Sequence, residues 1–261
     1  MLADVQSRDT HVVTFPLTIQ PGAYELAMDA LTPDEVARAK RFVFDDVRRR
    51  FVVCRFRVRQ LLAKLLNATA GEVRFSYSKW GKPELASSMQ KHASAPGHVT
   101  PIRFNVSNSG ETGVLAVSRL PVGIDVEVVQ QRFSHRSILS QVVSPRELNA
   151  WEQIPPIDRD AAMMQLWVCK EALLKAMGLG IAEGLQQVSF PLPIPSTVFA
   201  PTHIGPELLM HLDDDGTCRT TDWIDSDCWR LQILPSEQGT YLAIATAKSQ
   251  ANVVIHGMVL D

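Results

Sequence analysis

Thr32-Pro33-Asp34-Glu35 and Ser144-Pro145-Arg146-Glu147 carry the same helix-start signal, 112 residues apart in a chain of 261. Each places a hydroxyl residue at the N-cap, proline at the first helical position and glutamate at the third. There the hydroxyl and the carboxylate satisfy amide groups that a helix end leaves open. A second match lies downstream. Val53-Cys54-Arg55 aligns with Val168-Cys169-Lys170, and at that offset of 115 Val58 meets Leu173, Val73 meets Val188 and Phe75 meets Phe190. Strand-like alternation precedes each signal, at His11 to Thr14 and at Gly123 to Val126. The order strand, connection, capped helix, longer helix, strand therefore occurs twice. It predicts an α+β fold made of two similar halves. The boundary is expected at Leu120-Pro121, giving an N-terminal half of residues 1–120 and a C-terminal half of residues 121–261.

Apolar residues make up 46% of the chain, enough for a sizeable core and against wholesale disorder. The net charge of −2 hides a local excess: residues 38–64 hold ten of the 26 basic side chains, opposed only by Asp45 and Asp46. Such a patch favours an anionic partner, whether phosphate, nucleic acid or an acidic protein. The same stretch carries a core stripe (Phe51, Val58, Leu61, Leu62, Leu65), so some arginines only solvate its outer face, and no recognised nucleic-acid motif accompanies them. Cys54, Cys169, Cys218 and Cys228 form no CxxC pair or Cys/His cluster, which argues against structural zinc. No basic-then-apolar leader opens the chain and no run approaches about 18 apolar residues, so the expectation is a soluble cytoplasmic protein with no membrane partner. Residues 86–100 read as an exposed loop, residues 191–206 with five prolines as an extended connection, and Trp229 to Leu234 with Tyr241 to Ala247 as a hairpin.

Chemistry concentrates in two places. In Gly123-Ile124-Asp125-Val126-Glu127-Val128 apolar and acidic residues alternate, so on a strand Asp125 and Glu127 share one face. Two adjacent carboxylates repel unless a cation lies between them, although such a pair taken alone is more often a solvated strand edge. The second place is Trp167 to Ala176, helical in period, with Gly178 or Gly180 as C-cap. Trp167, Glu171 and Lys175 are spaced i, i+4, i+8 and form one stripe. A Glu–Lys pair at this spacing is ordinary on an exposed helix; the tryptophan on the same stripe points instead to a buried or pocket-lining face. Magnesium takes oxygen ligands, typically one or two carboxylates completed by water and phosphate, and Asp125, Glu127 and Glu171 would suit it.

These pieces, together with Gly81-Lys82-Pro83, Phe104-Asn-Val-Ser-Asn-Ser-Gly110 and the arginine-rich segment from Arg41 to Leu62, resemble the Sfp-type 4′-phosphopantetheinyl transferases in the family's order. The resemblance implies two α+β halves related by a pseudo-twofold axis, with the active site between them. It implies Mg²⁺ (Mn²⁺ as the alternative) held by Asp125, Glu127 and Glu171 with the diphosphate of coenzyme A. A serine of an apo acyl or peptidyl carrier protein would attack the β-phosphorus and 3′,5′-ADP would leave. Glu171 would activate that serine, directly or through water, and Lys175 would offset charge on the leaving group. By the same resemblance Lys82 lies near the coenzyme A phosphates, Ser107 contacts the nucleotide and Arg38 belongs to the nucleotide-binding region. The chain departs from the family at Asn108, where a histidine usually helps hold the 3′-phosphate. Arg48, Arg49 and Arg50 are the expected source of compensating charge. The segment Arg132 to Trp151, with His135, Arg136 and Arg146 beside Phe133, Ile138, Leu139 and Val142, is either a docking surface for an acidic carrier or a helix packed on the second half with a charged exterior. A monomer is the default for an internally repeated chain. A binding-only homologue without turnover, or a nucleic-acid-binding protein, are the alternatives.

Overall fold

The computed structural model describes residues 9–20, 22–90, 101–129, 133–179, 184–195, 197–204, 228–247 and 252–257. Strand β1 (Thr10–Pro16) is followed by helices α1 (Ala23–Asp29), α2 (Pro33–Lys40) and α3 (Asp45–Leu66), the short hairpin β2 (Phe75–Tyr77) and β3 (Pro83–Leu85), one turn of helix α4 (Ser87–Gln90), and the hairpin β4 (Arg103–Ser109) and β5 (Thr112–Ser118). The chain then enters β6 (Val122–Val128), helices α5 (Leu139–Val142), α6 (Leu148–Glu152) and α7 (Arg159–Met177), strands β7 (Val188–Ser189) and β8 (His203–Ile204), the hairpin β9 (Trp229–Ile233) and β10 (Thr240–Ala247), and finally β11 (Val253–His256).

Two sheets organise these elements. One has the order β11-β1-β5-β4, with β11 parallel to β1 and the other pairs antiparallel; the second is β6-β10-β9, antiparallel throughout. Val13, Phe15, Leu115 and Val117 on one face of the first sheet pack against Cys54, Val58, Leu61 and Leu62 of α3. On its other face Val12, Val114 and Ala116 meet Ile124, Val126, Leu242 and Ile244 of the second sheet. Ala243, Ala245, Trp229 and Leu231 of the second sheet then pack under Leu166, Cys169, Leu173 and Leu174 of α7. The result is a mixed α and β molecule layered helix, sheet, sheet, helix. The expected hairpin at Trp229 to Ala247 is present, and β11 crosses to pair with β1 at the start of the chain.

The first capping signal is fully realised. The Glu35 amide donates to Thr32 Oγ1 at 3.4 Å and the Thr32 amide to Glu35 Oε2 at 3.0 Å. The second is half realised: the Ser144 amide donates to Glu147 Oε2 at 2.8 Å, but the Ser144 hydroxyl bonds that of Ser189 instead. A turn at 145–147 replaces the first helical turn. Glu147 is held there because Lys170 Nζ (2.7 Å) and the Phe190 amide (2.8 Å) also bond its carboxylate.

That buried pair has a counterpart. Arg59 Nη2 donates to Glu35 Oε2 at 2.7 Å and Arg59 Nη1 to the carbonyl of Val73 at 2.6 Å, much as Lys170 reaches Glu147 and the carbonyl of Leu185 at 2.9 Å. Glu147, Lys170 and Leu185 follow Glu35, Arg59 and Val73 by 112, 111 and 112 residues. The sequence offset of 115 pairs Arg55 with Lys170; both Arg59, at 2.7 Å, and Arg55, at 4.0 Å, stand against Glu35. Helix α7 ends at Gly178, in the left-handed region at φ 78°, where glycine carries no steric penalty. Gly180, residues 91–100 of the expected loop, Arg132, Cys218 and parts of the proline-rich connection lie outside the described residues. Before residue 91 the expected loop contains α4.

Candidate active site

Glycine at position 123 sets the site's depth. A Cβ there would stand 2.0 Å from the carbonyl oxygen of Ala172 and 2.3 Å from the amide of Ala176, so the backbones of β6 and α7 touch. Strand alternation then aims Asp125 and Glu127 at the same side as Gly123, toward the helix that carries Glu171 and Lys175. The acidic face is covered rather than solvated: Asp125 is only 1% exposed and Glu171 6%.

Three polar side chains, Ser107, Glu171 and Lys175, gather around Asp125. Lys175 Nζ bonds Asp125 Oδ1, stands 3.2 Å from Glu171 Oε2 and donates to Ser107 Oγ at 3.1 Å. The Ser107 hydroxyl donates to Asp125 Oδ1 at 2.7 Å, and the Ser109 hydroxyl to Glu127 Oε2 at 2.8 Å. The Ile124 and Val128 amides donate to Asn105 Oδ1 (2.8 Å) and Ser109 Oγ (3.1 Å), so side chains of β4 serve the edge of β6 opposite its ladder with β10. Asp125 Oδ2 is buried with no hydrogen-bond partner.

Charge in this site is unbalanced. Burial, and then the charge of Asp125, push the Glu171 carboxyl up to about 7. Glu127 is raised by burial and by Asp125, against the bond from Ser109. Burial pulls Lys175 down, but Asp125 and Glu171 outweigh it and hold the ammonium above its ordinary value. Three carboxylates thus share one ammonium.

The residues fit a divalent cation by their donors. They offer hard oxygen ligands, and one oxygen of Asp125 is buried without a partner. Among the described residues no group of three or more His, Cys, Asp or Glu side chains is placed so that it could hold a metal ion as it stands. In this arrangement the Lys175 ammonium sits among the carboxylates.

The other residues singled out from sequence are placed differently. Ser107 touches Asp125 and Lys175, so in this structure it orients the acidic cluster. Lys82 Nζ donates to the carbonyls of Lys175 (2.6 Å), Val122 (3.3 Å) and Ala176 (3.5 Å). Asn108 is exposed, and strand alternation turns it away from the face that carries Ser107 and Ser109. Arg38 is exposed on α2 with its guanidinium 5.3 Å above the ring of Phe51. The expectation that Arg48, Arg49 and Arg50 supply spare charge is corrected: they pair with Asp45, Glu111 and Asp46 at 2.7, 2.7 and 2.8 Å. Acids one turn away or on a neighbouring hairpin claim them first. Sequence reading missed Ser109 and Asn105. Their signal was the alternation Asn105, Ser107, Ser109, which mirrors Gly123, Asp125, Glu127 eighteen residues on.

A groove of about 430 Å³ opens beside Glu127, lined by Ser109, Phe133, Ile138, Met164 and Trp167. In the adjoining segment Val142 is buried and Phe133, Ile138 and Leu139 pack on the second-half core, while Arg136 and Arg146 are exposed.

Comparison with known proteins now decides the family. A profile of the 4′-phosphopantetheinyl transferase superfamily matches residues 121–215, and one of the 4′-phosphopantetheinyl transferase N-terminal domain matches residues 19–120. The 4′-phosphopantetheinyl transferase HetI of Nostoc is 31% identical over 187 residues, covering 71% of this chain and 75% of HetI. The chain belongs to the 4′-phosphopantetheinyl transferase superfamily. The Synechocystis protein slr0495 is 29% identical over 231 residues (86% of this chain, 82% of that protein). The human L-aminoadipate-semialdehyde dehydrogenase-phosphopantetheinyl transferase is 30% identical over 176 residues (64% and 54%). The chain is accordingly an enzyme of the phosphopantetheinyl transferase type. Among the described residues no helix is long and apolar enough to cross a membrane.

Proposed function

We propose that this transferase moves the 4′-phosphopantetheine group from coenzyme A to a serine of an apo acyl or peptidyl carrier protein and releases 3′,5′-ADP. The observation that carries the reading is the cluster of buried Asp125 and Glu171 with half-buried Glu127 and Lys175, in which one oxygen of Asp125 has no partner. Asp125, Glu127 and Glu171 would hold Mg²⁺, with Mn²⁺ as a substitute. When bound, the ion supplies Lewis-acid polarisation of the phosphoryl oxygens and screens charge on the diphosphate.

The chain's own side chains do the rest. Ser107 and Ser109 fix the carboxylates of Asp125 and Glu127 by donating to one oxygen of each and leaving the other available. Glu171, with its carboxyl pushed up to about 7, is suited to take the serine proton near neutral pH. The serine oxygen then bonds the β-phosphorus while the bond to the 3′,5′-ADP oxygen breaks. Lys175 offsets negative charge on that departing oxygen. Arg38 and Asn108 complete the proposed donor-binding set by resemblance, with Arg38 at the nucleotide end. The carrier would approach along the groove lined by Phe133, Ile138 and Trp167, past the exposed Arg136 and Arg146, which complement an acidic partner.

Two similar halves, 1–120 and 121–261, related by a pseudo-twofold axis, are part of the proposal; the paired Glu35–Arg59 and Glu147–Lys170 bonds support it. So is a cytoplasmic monomer, since β4 from one half and β6 with α7 from the other supply the site within a single chain. The test is chemical balance. Incubated with Mg²⁺, coenzyme A and several apo carrier proteins, the enzyme should yield 3′,5′-ADP and holo-carrier in equal amounts. Carrier and coenzyme A bound together without either product would identify a binding-only homologue.

A further inference from the structure

Lys82 comes from the tight turn between β2 and β3. The Ser78 amide donates to the carbonyl of Lys82 at 2.9 Å, the Gly81 amide to that of Ser78 at 2.9 Å, and the Lys82 amide to Ser78 Oγ at 3.1 Å. Gly81 sits at φ +77°, which the turn requires. This geometry sends the lysine stem across to the second half. There the ammonium, with three donors, meets three carbonyl oxygens: Lys175 at 2.6 Å, Val122 at 3.3 Å and Ala176 at 3.5 Å.

Those three carbonyls lie on one seam. Val122 precedes Gly123, whose missing Cβ lets β6 touch α7 at Ala172 and Ala176. The carbonyls of Lys175 and Ala176 belong to the last turn of α7, where the helix dipole favours a cation, and the Lys175 carbonyl also accepts the Gly178 amide at 3.2 Å. The seam fixes the offset between Asp125, three residues beyond Val122, and the side chains of Lys175 and Glu171 that must face it.

We propose that Lys82 is a positioning residue, which caps α7 and clamps it to β6 so that Lys175 and Glu171 meet Asp125, rather than a direct ligand of the coenzyme A phosphates. The clamp also explains why a turn in the first half matters to a cluster carried largely by the second. A phosphate could recruit the ammonium only by taking it from these three backbone acceptors, with the loss of their bonds to it. Three converging carbonyls suit a compact ammonium and do not suit a planar guanidinium, whereas a phosphate accepts either and often prefers the fork of arginine.

The inference rests on the transferase reading for its kinetic arm and stands without it for its structural arm. Lys82→Met and Lys82→Arg would be compared with the parent protein, with Gly123→Ala as a variant that opens the same seam from the other side. Expected are a fall in kcat of tenfold or more in both Lys82 variants, a coenzyme A Kd by calorimetry within twofold of the parent, and faster amide exchange at Gly178 and Leu179, as in Gly123→Ala. A coenzyme A Kd weakened tenfold or more by methionine but restored by arginine, with exchange at Gly178 and Leu179 unchanged, would overturn the inference. Should the parent protein itself turn nothing over, the transferase reading falls and amide exchange alone decides the role of Lys82: acceleration supports the clamp and unchanged exchange refutes it.

Discussion

At the residue scale, Glu171 links electrostatics to stability. Its carboxyl is pushed up to about 7 by burial and by Asp125, against an ordinary value of 4.5. A raised carboxyl pKa means that the folded protein holds a proton the unfolded chain gives up. Stability from this group is therefore full below about 4.5 and is lost as pH rises to about 7. In chelator the melting temperature should fall over that window, and Mg²⁺, which takes the ionised form, should shrink the fall. Glu171→Gln should flatten the pH dependence; an unchanged slope in that variant would show that the group titrates elsewhere. Ser107 permits a second prediction. Ser107→Ala removes a bond to Asp125 and one from Lys175, at a cost of about 1–3 kcal/mol, and should lower kcat more than it lowers the melting temperature.

At the element scale, much of the site was legible because strand and helix periods are short. Alternation put Asp125 and Glu127 on one face, and the i, i+4 step put Glu171 and Lys175 on one stripe. Covering of that face by α7 was not legible, because close approach depends on what opposes Gly123, and nothing local in the sequence names Ala172 and Ala176. The second capping signal misled for a related reason: Ser144 and Glu147 match the first, but a buried lysine and a strand hydroxyl compete for them. Gly123→Ala should therefore be severe. Its Cβ would collide with backbone rather than with a yielding side chain, so the loss should reach the upper end of the about 1–3 kcal/mol typical of overpacking. Denaturant titration checks it, and a midpoint unchanged from the parent would contradict the contact. Lys170→Met leaves Glu147 charged in the core and should cost about 3–5 kcal/mol, more than the paired change Lys170→Met with Glu147→Leu.

At the scale of the whole molecule, each part of the site depends on both sheets. β4 supplies Asn105, Ser107 and Ser109, while β6 and α7 supply the carboxylates and the lysine. β11 returns from the far end of the chain to pair with β1, so the sheets share one chain path in both directions. Sequence reading reached the order of elements and the family, but not this return or the β4 hydroxyls, since both are long-range pairings without a local signature. The claim at the centre is that Asp125, Glu127, Glu171 and Lys175 act as one phosphopantetheine-transferring site. The most direct measurement is the intact mass of an apo carrier protein after incubation with coenzyme A and Mg²⁺, using the parent enzyme and a folded Asp125→Ala variant. The account predicts a phosphopantetheine mass on the carrier with the parent enzyme, and a rate lowered on the order of 100-fold or more with Asp125→Ala. Equal transfer by both proteins, or none by the parent enzyme on any of several carriers, would contradict it.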